Sequence, residues 1–203
     1  MATPGEQRID RIAGRAAGER ADSRDTHARL IDAVNDWVSV HGSAPTRLAD
    51  VAKVAGVSTA TAYRHFASVD DVIQGFVLRL PVRAAELFAA TDRPTVEPTE
   101  RLRNWNRSWV ASCVEHGPLA VNLRSPRGFL ERRDNNDPVI SYACSIIEPI
   151  LEQLDGDTIL QLFTWNVTSD PREVLDLLRL GWTTDEIVEF VTNSILVTPD
   201  RPS

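Results

Sequence analysis

The chain has 203 residues, 42% hydrophobic and 25% charged, a length and composition that can bury a core and build one or two domains. No apolar run approaches a membrane span and the N-terminus lacks the apolar centre of a signal peptide, so membrane and secreted classes are set aside and a cytoplasmic protein is expected; the two cysteines, Cys113 and Cys144, suit a reducing compartment better than a disulfide framework. The net charge of −7 argues at first against a nucleic-acid partner, but the first 80 residues carry ten basic and ten acidic side chains, whereas the remainder carries twelve against nineteen.

In chain order, residues 1–24 form a polar arm in which Arg8, Arg11, Arg15, Arg20 and Arg24 are interleaved with Glu6, Asp10, Glu19 and Asp22. It reads either as a groove- or phosphate-touching arm or as a solvated, partly disordered tail. A helix is predicted from Thr26 to His41, with Leu30, Ile31, Val34, Trp37 and Val38 on its apolar face, Trp37 in the core and Gly42 just past its end.

The stretch TRLADVAKVAGVSTATAYRHF, Thr46 to Phe66, then reads as two short helices across a tight turn. Leu48, Val51, Ala52 and Ala55 recur at helical spacing behind Thr46 as N-cap. Gly56 can take the left-handed conformation that ends the first helix, and Val57 can pack back against it. Ser58 is a good N-cap for the second helix, in which Ala62 and Phe66 face inward while Thr59, Thr61, Tyr63, Arg64 and His65 offer polar tips. Ala52, Ala55 and Gly56 are small where two steeply crossed helices must approach closely. Together these features form a helix-turn-helix pattern. Within it Arg47, Lys53 and Arg64 face Asp50 alone, a locally positive surface on a negative protein. Ser68, with Asp71 three residues on, opens a further helix through Val72, Ile73, Phe76, Val77 and Leu80 that Pro81 is expected to kink or end.

The run AGVSTATAYRHFASVDDV resembles the DNA-binding segment of TetR-family transcriptional regulators, with Gly56, Ser58, Thr61, Tyr63, Phe66 and Ser68 in register over about the fifty residues from Leu30 to Leu80. Val69 stands where the family usually has a phosphate-touching lysine, and Ala67 where it usually has proline. The resemblance implies a dimer on a palindromic DNA operator, a C-terminal domain that binds a small-molecule effector and dimerises, and a connecting helix that carries motion between the two.

The second part shows helix punctuation and no strand alternation. A Pro/Thr-rich linker covers Thr91 to Pro98, and a helix is expected from Thr99 to His116, ended by Gly117 and Pro118. Leu119 to Asn136 reads as short helices with loops. Asp137-Pro138 opens a helix to about Leu154 that Pro149 should bend, and Gly156-Asp157 precede another through Val167. Asp170-Pro171-Arg172-Glu173 is a capping box closed by Gly181, and Thr183 with Glu186 is another before the final helix to about Val197.

Trp105 and Trp109 share one helix stripe with Leu102 and Cys113, so they either wall an apolar cavity or pack a core. Cys113 and His116 lie three apart, but no second Cys/His pair at ligand spacing supports a metal site. There is no glycine-rich phosphate loop, nucleophile elbow or HExxH, which leaves no catalytic residue to nominate. The last apolar helices carry Ile159, Phe163, Ile187, Phe190, Val191 and Ile195, more apolar surface than one buried stripe requires, and a two-fold dimer would cover it.

The expected protein is all-α, with a three-helix helix-turn-helix DNA-binding domain at residues 25–70 and a C-terminal helical effector-binding and dimerisation domain at residues 71–203. It is read as a ligand-responsive repressor without cofactor, metal or membrane partner. The DNA contacts are assigned to Thr46, Arg47, Ser58, Thr59, Ala60, Thr61, Tyr63, Arg64 and His65. Trp105, Trp109, Cys113 and Tyr142 are assigned to a small apolar or aromatic effector. The alternatives are a ligand- or protein-binding helical module that keeps the helix-turn-helix as structure and, third, an enzyme.

Overall fold

The computed structural model describes residues 21–120 and 127–198, so arginines 8, 11, 15 and 20 of the expected arm lie outside the described residues. These residues form ten helices and no strand: α1 Ala21–His41, α2 Leu48–Val54, α3 Thr59–His65, α4 Val69–Thr91, α5 Pro98–Ala120, α6 Phe129–Asp134, α7 Pro138–Leu151, α8 Thr158–Thr168, α9 Pro171–Arg179 and α10 Thr184–Leu196. The chain divides into two compact units. Among the described residues the first spans residues 21–79 with 119–120, and the second residues 80–118 with 127–198.

In the first unit α1 packs on α2 and α2 on α3. Their inner faces supply one core of Leu30, Val34, Val38, Leu48, Val51, Ala52, Ala62 and Phe66, joined by Val72 and Phe76 of α4. α1 begins at Ala21, five residues before the expected Thr26, so the end of the expected arm, Arg24 included, is helical. Gly42 follows α1 at φ +66° and donates its N–H to the Val38 carbonyl at 2.8 Å, as a helix-ending glycine should. Trp37 is a correction: it is half-buried at the end of α1, its ring stacked on His41 with centroids 3.8 Å apart, and not in the core.

In the second unit α8 lies against α7 and α10, with α6 on α7 and α8 and α9 on α10. Capping at Asp137 and at Thr183–Glu186 follows the sequence, whereas Asp170 caps its helix without the reciprocal Glu173 bond that the expected box required. Asp137 accepts from the Val139 and Ile140 N–H groups, Asp157 from Leu160, Asp170 from Arg172, and Thr183 with Glu186 forms a complete capping box. These bonds satisfy N–H groups that the first turn of a helix leaves without partners. They also hold the Glu186 carboxyl below its usual range, the Thr183 backbone N–H being the main cause and its hydroxyl the next.

One expected alternative is narrowed and two expected boundaries are corrected. Pro81 lies inside α4 without ending it, and the buried Ser112 hydroxyl donates to the Leu80 carbonyl at 2.7 Å. α7 stops at Leu151, short of Leu154. Gly117 does not end α5, which continues to Ala120. Its role is close approach: a Cβ there would sit 3.1 Å from the Leu175 side chain of α9.

Candidate nucleic-acid interface

The turn between α2 and α3 is closed by the last residues of α2. Gly56, at φ +67°, donates to the Lys53 carbonyl at 3.2 Å and Val57 to the Ala52 carbonyl at 3.0 Å, the paired bonds of a left-handed helix ending. Arg29 reaches across from α1 and donates from Nη2 to the Ala55 carbonyl at 2.5 Å. A guanidinium at this end satisfies a terminal carbonyl and meets the negative pole of the helix dipole. Reading the sequence missed Arg29, because its partner is 26 residues away and no local pattern marks the pair.

Ser58 caps α3 as expected: its Oγ accepts from the Thr61 N–H at 3.0 Å and shares a 2.8 Å hydrogen bond with Thr61 Oγ1. Thr46 does not cap α2. The N-cap position belongs to Arg47, which makes no side-chain capping bond, so Thr46 keeps its exposed side chain for other work. Ser68 Oγ accepts from the Asp71 N–H at 3.1 Å, which opens α4 at Val69.

The outer face of α3 is polar and solvent-facing. Ala62 and Phe66 are 0% and 3% exposed while Tyr63 is 59% exposed, and Thr59, Ala60 and Arg64 are also exposed, so burial and display alternate at helical spacing. Thr61 and His65 are half-buried, the latter with its ring 6.1 Å from that of His27, which stacks on Phe66 at 4.6 Å. Lys53 and Arg64 are exposed cations. Arg47 is held by Asp50 through Nε–Oδ2 at 2.9 Å and Nη2–Oδ1 at 2.7 Å, which raises the guanidinium pKa and lowers that of the carboxyl. To touch a phosphate, Arg47 must trade that partner, an exchange that an exposed ion pair resists only weakly. Val69, at the position of the missing lysine, is partly buried against the core of this unit.

The other assigned residues lie in the second unit. Trp105, Trp109 and Cys113 are buried, and Tyr142 on α7 is half-buried. Phe88, Trp105, Trp109 and Trp165 form an aromatic cluster: Phe88 meets Trp105 edge-on at 5.7 Å, Trp109 meets Trp165 at 4.9 Å, and Trp105 lies 6.0 and 6.3 Å from Trp109 and Trp165. Trp109 Nε1 donates to the Ser169 carbonyl at 2.7 Å. Burial pushes the Cys113 thiol well up, with Asp170 adding to the shift, and burial pushes Cys144 to about 12; neither is a thiolate near neutrality.

Half of the residues assigned to a dimer face are corrected. Ile187, Val191 and Ile195 are each 0% exposed within the single chain, on the face of α10 that packs inward, and so cannot meet a second copy. Phe163 and Phe190 are exposed and Ile159 is half-buried. Helical spacing groups residues onto a face, but it does not say whether that face meets the chain's own core or a partner.

Among the described residues the all-α fold and the helix-turn-helix with its displayed α3 face match the fold of TetR-like transcriptional regulators. The chain is 27% identical over 160 residues, 76% of its own length and 69% of the relative's, to the HTH-type transcriptional regulator AlkX of Mycobacterium tuberculosis. Its fold is similar to that of the fatty acid degradation regulator FadR of Bacillus halodurans, with a TM-score of 0.65 at 16% identity over 89% of this chain and 97% of that one. A TetR-like transcriptional regulator of Rhodococcus sp. RHA1 gives a TM-score of 0.57 at 18% identity over 88% and 96%. No family model matches the chain. No helix among the described residues is long and apolar enough to cross a membrane.

Proposed function

We propose that the protein is a ligand-responsive repressor that occupies a palindromic operator as a homodimer and leaves it when a small apolar or aromatic effector binds in the second unit. The observation that carries this reading is the α3 face, polar and displayed over a buried Ala62 and Phe66. Thr59, Ala60 and Thr61 stand near the helix start, where base edges and thymine methyls are read, and Thr46, Arg47, Ser58, Tyr63, Arg64 and His65 surround them for phosphates or adjacent edges. An effector acts through its differential affinity for two conformations, only one of which presents the reading helices to successive major grooves. Dimerisation is supported by Phe163 and Phe190, 44% and 42% exposed on α8 and α10, helices that pack side by side and would gain cover from a two-fold copy. Two reading helices about 34–36 Å apart then reach one palindrome.

The test is fluorescence anisotropy with a palindromic duplex from the promoter region beside the gene, paired with sedimentation of the free protein. The expected result is a dimer at micromolar concentration that binds one duplex, with affinity falling as salt rises. A monomer that binds the full palindrome as tightly as half of it would refute the dimer, and no salt-dependent binding to any such duplex would refute the regulator.

A further inference from the structure

Three of the five tryptophans are packed together in the core of the second unit, and they differ in one respect. Trp109 has an acceptor for its indole N–H, the Ser169 carbonyl. Trp105 and Trp165, 0% and 1% exposed, have none. Beside them Asn106, 1% exposed, donates from Nδ2 to Thr192 Oγ1 at 3.0 Å while its Oδ1 has no partner. Buried polar groups are nearly always hydrogen-bonded, and the indole N–H of a buried tryptophan usually finds an acceptor. Phenylalanine would fill a ring position here without bringing a donor. Two orphan donors on rings 6.3 Å apart, within one aromatic cluster, therefore point to an acceptor that arrives from outside the chain.

The surroundings limit what that molecule can be. Phe88, Trp105, Trp109 and Trp165 offer ring faces and edges, which suit a flat apolar body. Among the described residues the buried polar side chains are Asn106, Ser108, Ser112, Gln161, Ser169 and Thr192, and no Asp, Glu, Lys or Arg is buried. A charged ligand in this core would find no buried counter-ion, and an anion would also meet the field of Asp170, which acts on the Cys113 thiol. Resting on the effector-binding role proposed above, we propose that this aromatic core binds a neutral, planar aromatic carbonyl compound whose oxygen accepts from an indole N–H of the Trp105–Trp165 pair.

The test uses the full chain labelled with ¹⁵N at the tryptophan indoles, titrated with acetophenone, cumene and benzoate. These probes share one skeleton and differ in carrying a neutral acceptor, no acceptor or a charge. The indole resonances of Trp105 and Trp165, assigned in the wild-type protein, should shift saturably with acetophenone. Cumene is the more hydrophobic, so the hydrogen bond to a buried donor is read as a ketone affinity about fivefold above what relative hydrophobicity predicts. Benzoate should bind at least about tenfold more weakly than acetophenone, the discrimination expected for a charge without a partner. In Trp165→Phe the preference for the ketone over cumene should fall or vanish. If that variant does not fold, the wild-type titration still decides. Indole resonances that stay fixed at saturating acetophenone, or benzoate binding as tightly as the ketone, would overturn the site. The same samples titrated with operator duplex separate the two proposals: indole shifts without any change in DNA affinity support the site and overturn its regulatory role, whereas fixed indoles in a protein that still binds its operator overturn the site and leave the regulator standing.

Discussion

The two units handle their functional residues in opposite ways. In the first, the side chains that hold the structure and those that can touch a partner are largely different sets, with Ser58 in both. Ala52, Ala62 and Phe66 are buried, Gly56 and Ser58 shape the turn, and Thr59, Ala60, Tyr63 and Arg64 are displayed. In the second, the assigned effector residues Trp105 and Trp109 are themselves core. A displayed surface can therefore change without endangering the fold, whereas residues of the core cannot change without changing stability.

The sharpest way to break this contrast is Trp109→Ala. Its ring packs against Trp105 and Trp165 and its N–H is bonded to Ser169, so truncation should destabilise the chain by about 3–5 kcal/mol, measured by chemical denaturation. A loss below about 1 kcal/mol would show a loosely packed site whose tryptophans are not core in solution. Next in size is Gly56→Ala. Its φ of +67° lies where an L-residue is strained, so a loss of about 1–2 kcal/mol is expected, with thermal melting as the measurement. Arg29→Met should cost about 1.5 kcal/mol for the lost charged hydrogen bond to Ala55, and because that bond sets the turn, operator affinity should fall in the folded variant as well. Unchanged DNA affinity would make Arg29 a stabiliser only.

Tyr63→Ala sharpens the comparison from the other side. A side chain 59% exposed should change stability by no more than about 0.5 kcal/mol while weakening DNA binding, so a large stability loss would merge the two sets of residues. The smallest effect is expected for Val69→Lys. One lysine in each half of the dimer, each neutralising one phosphate, should tighten binding to all duplexes alike and steepen the log–log salt dependence by about 1.8. Because Val69 packs partly against the core, a small loss of stability should accompany the gain. A gain confined to one duplex would contradict the phosphate assignment.

What the sequence determined by itself was local. The capping roles of Ser58, Asp137, Asp170 and the Thr183–Glu186 pair, and the turn glycines Gly42, Gly56 and Gly181, were legible, because a cap or a left-handed residue is decided within about four residues of itself. The helix-turn-helix was legible for the same reason, since its spacing of small, capping and apolar residues lies within one short stretch. Tertiary structure decided everything that needed a distant partner. It turned Ile187, Val191 and Ile195 inward and left Phe190 exposed, although all four fit one helical spacing. It made Gly117 a point of contact with Leu175 rather than a helix end, brought Arg29 to the carbonyl of Ala55, and closed three tryptophan rings together while leaving two of their N–H groups without an acceptor. Burial and long-range hydrogen bonds depend on which surfaces meet, and a helical period is the same on every face that could meet them.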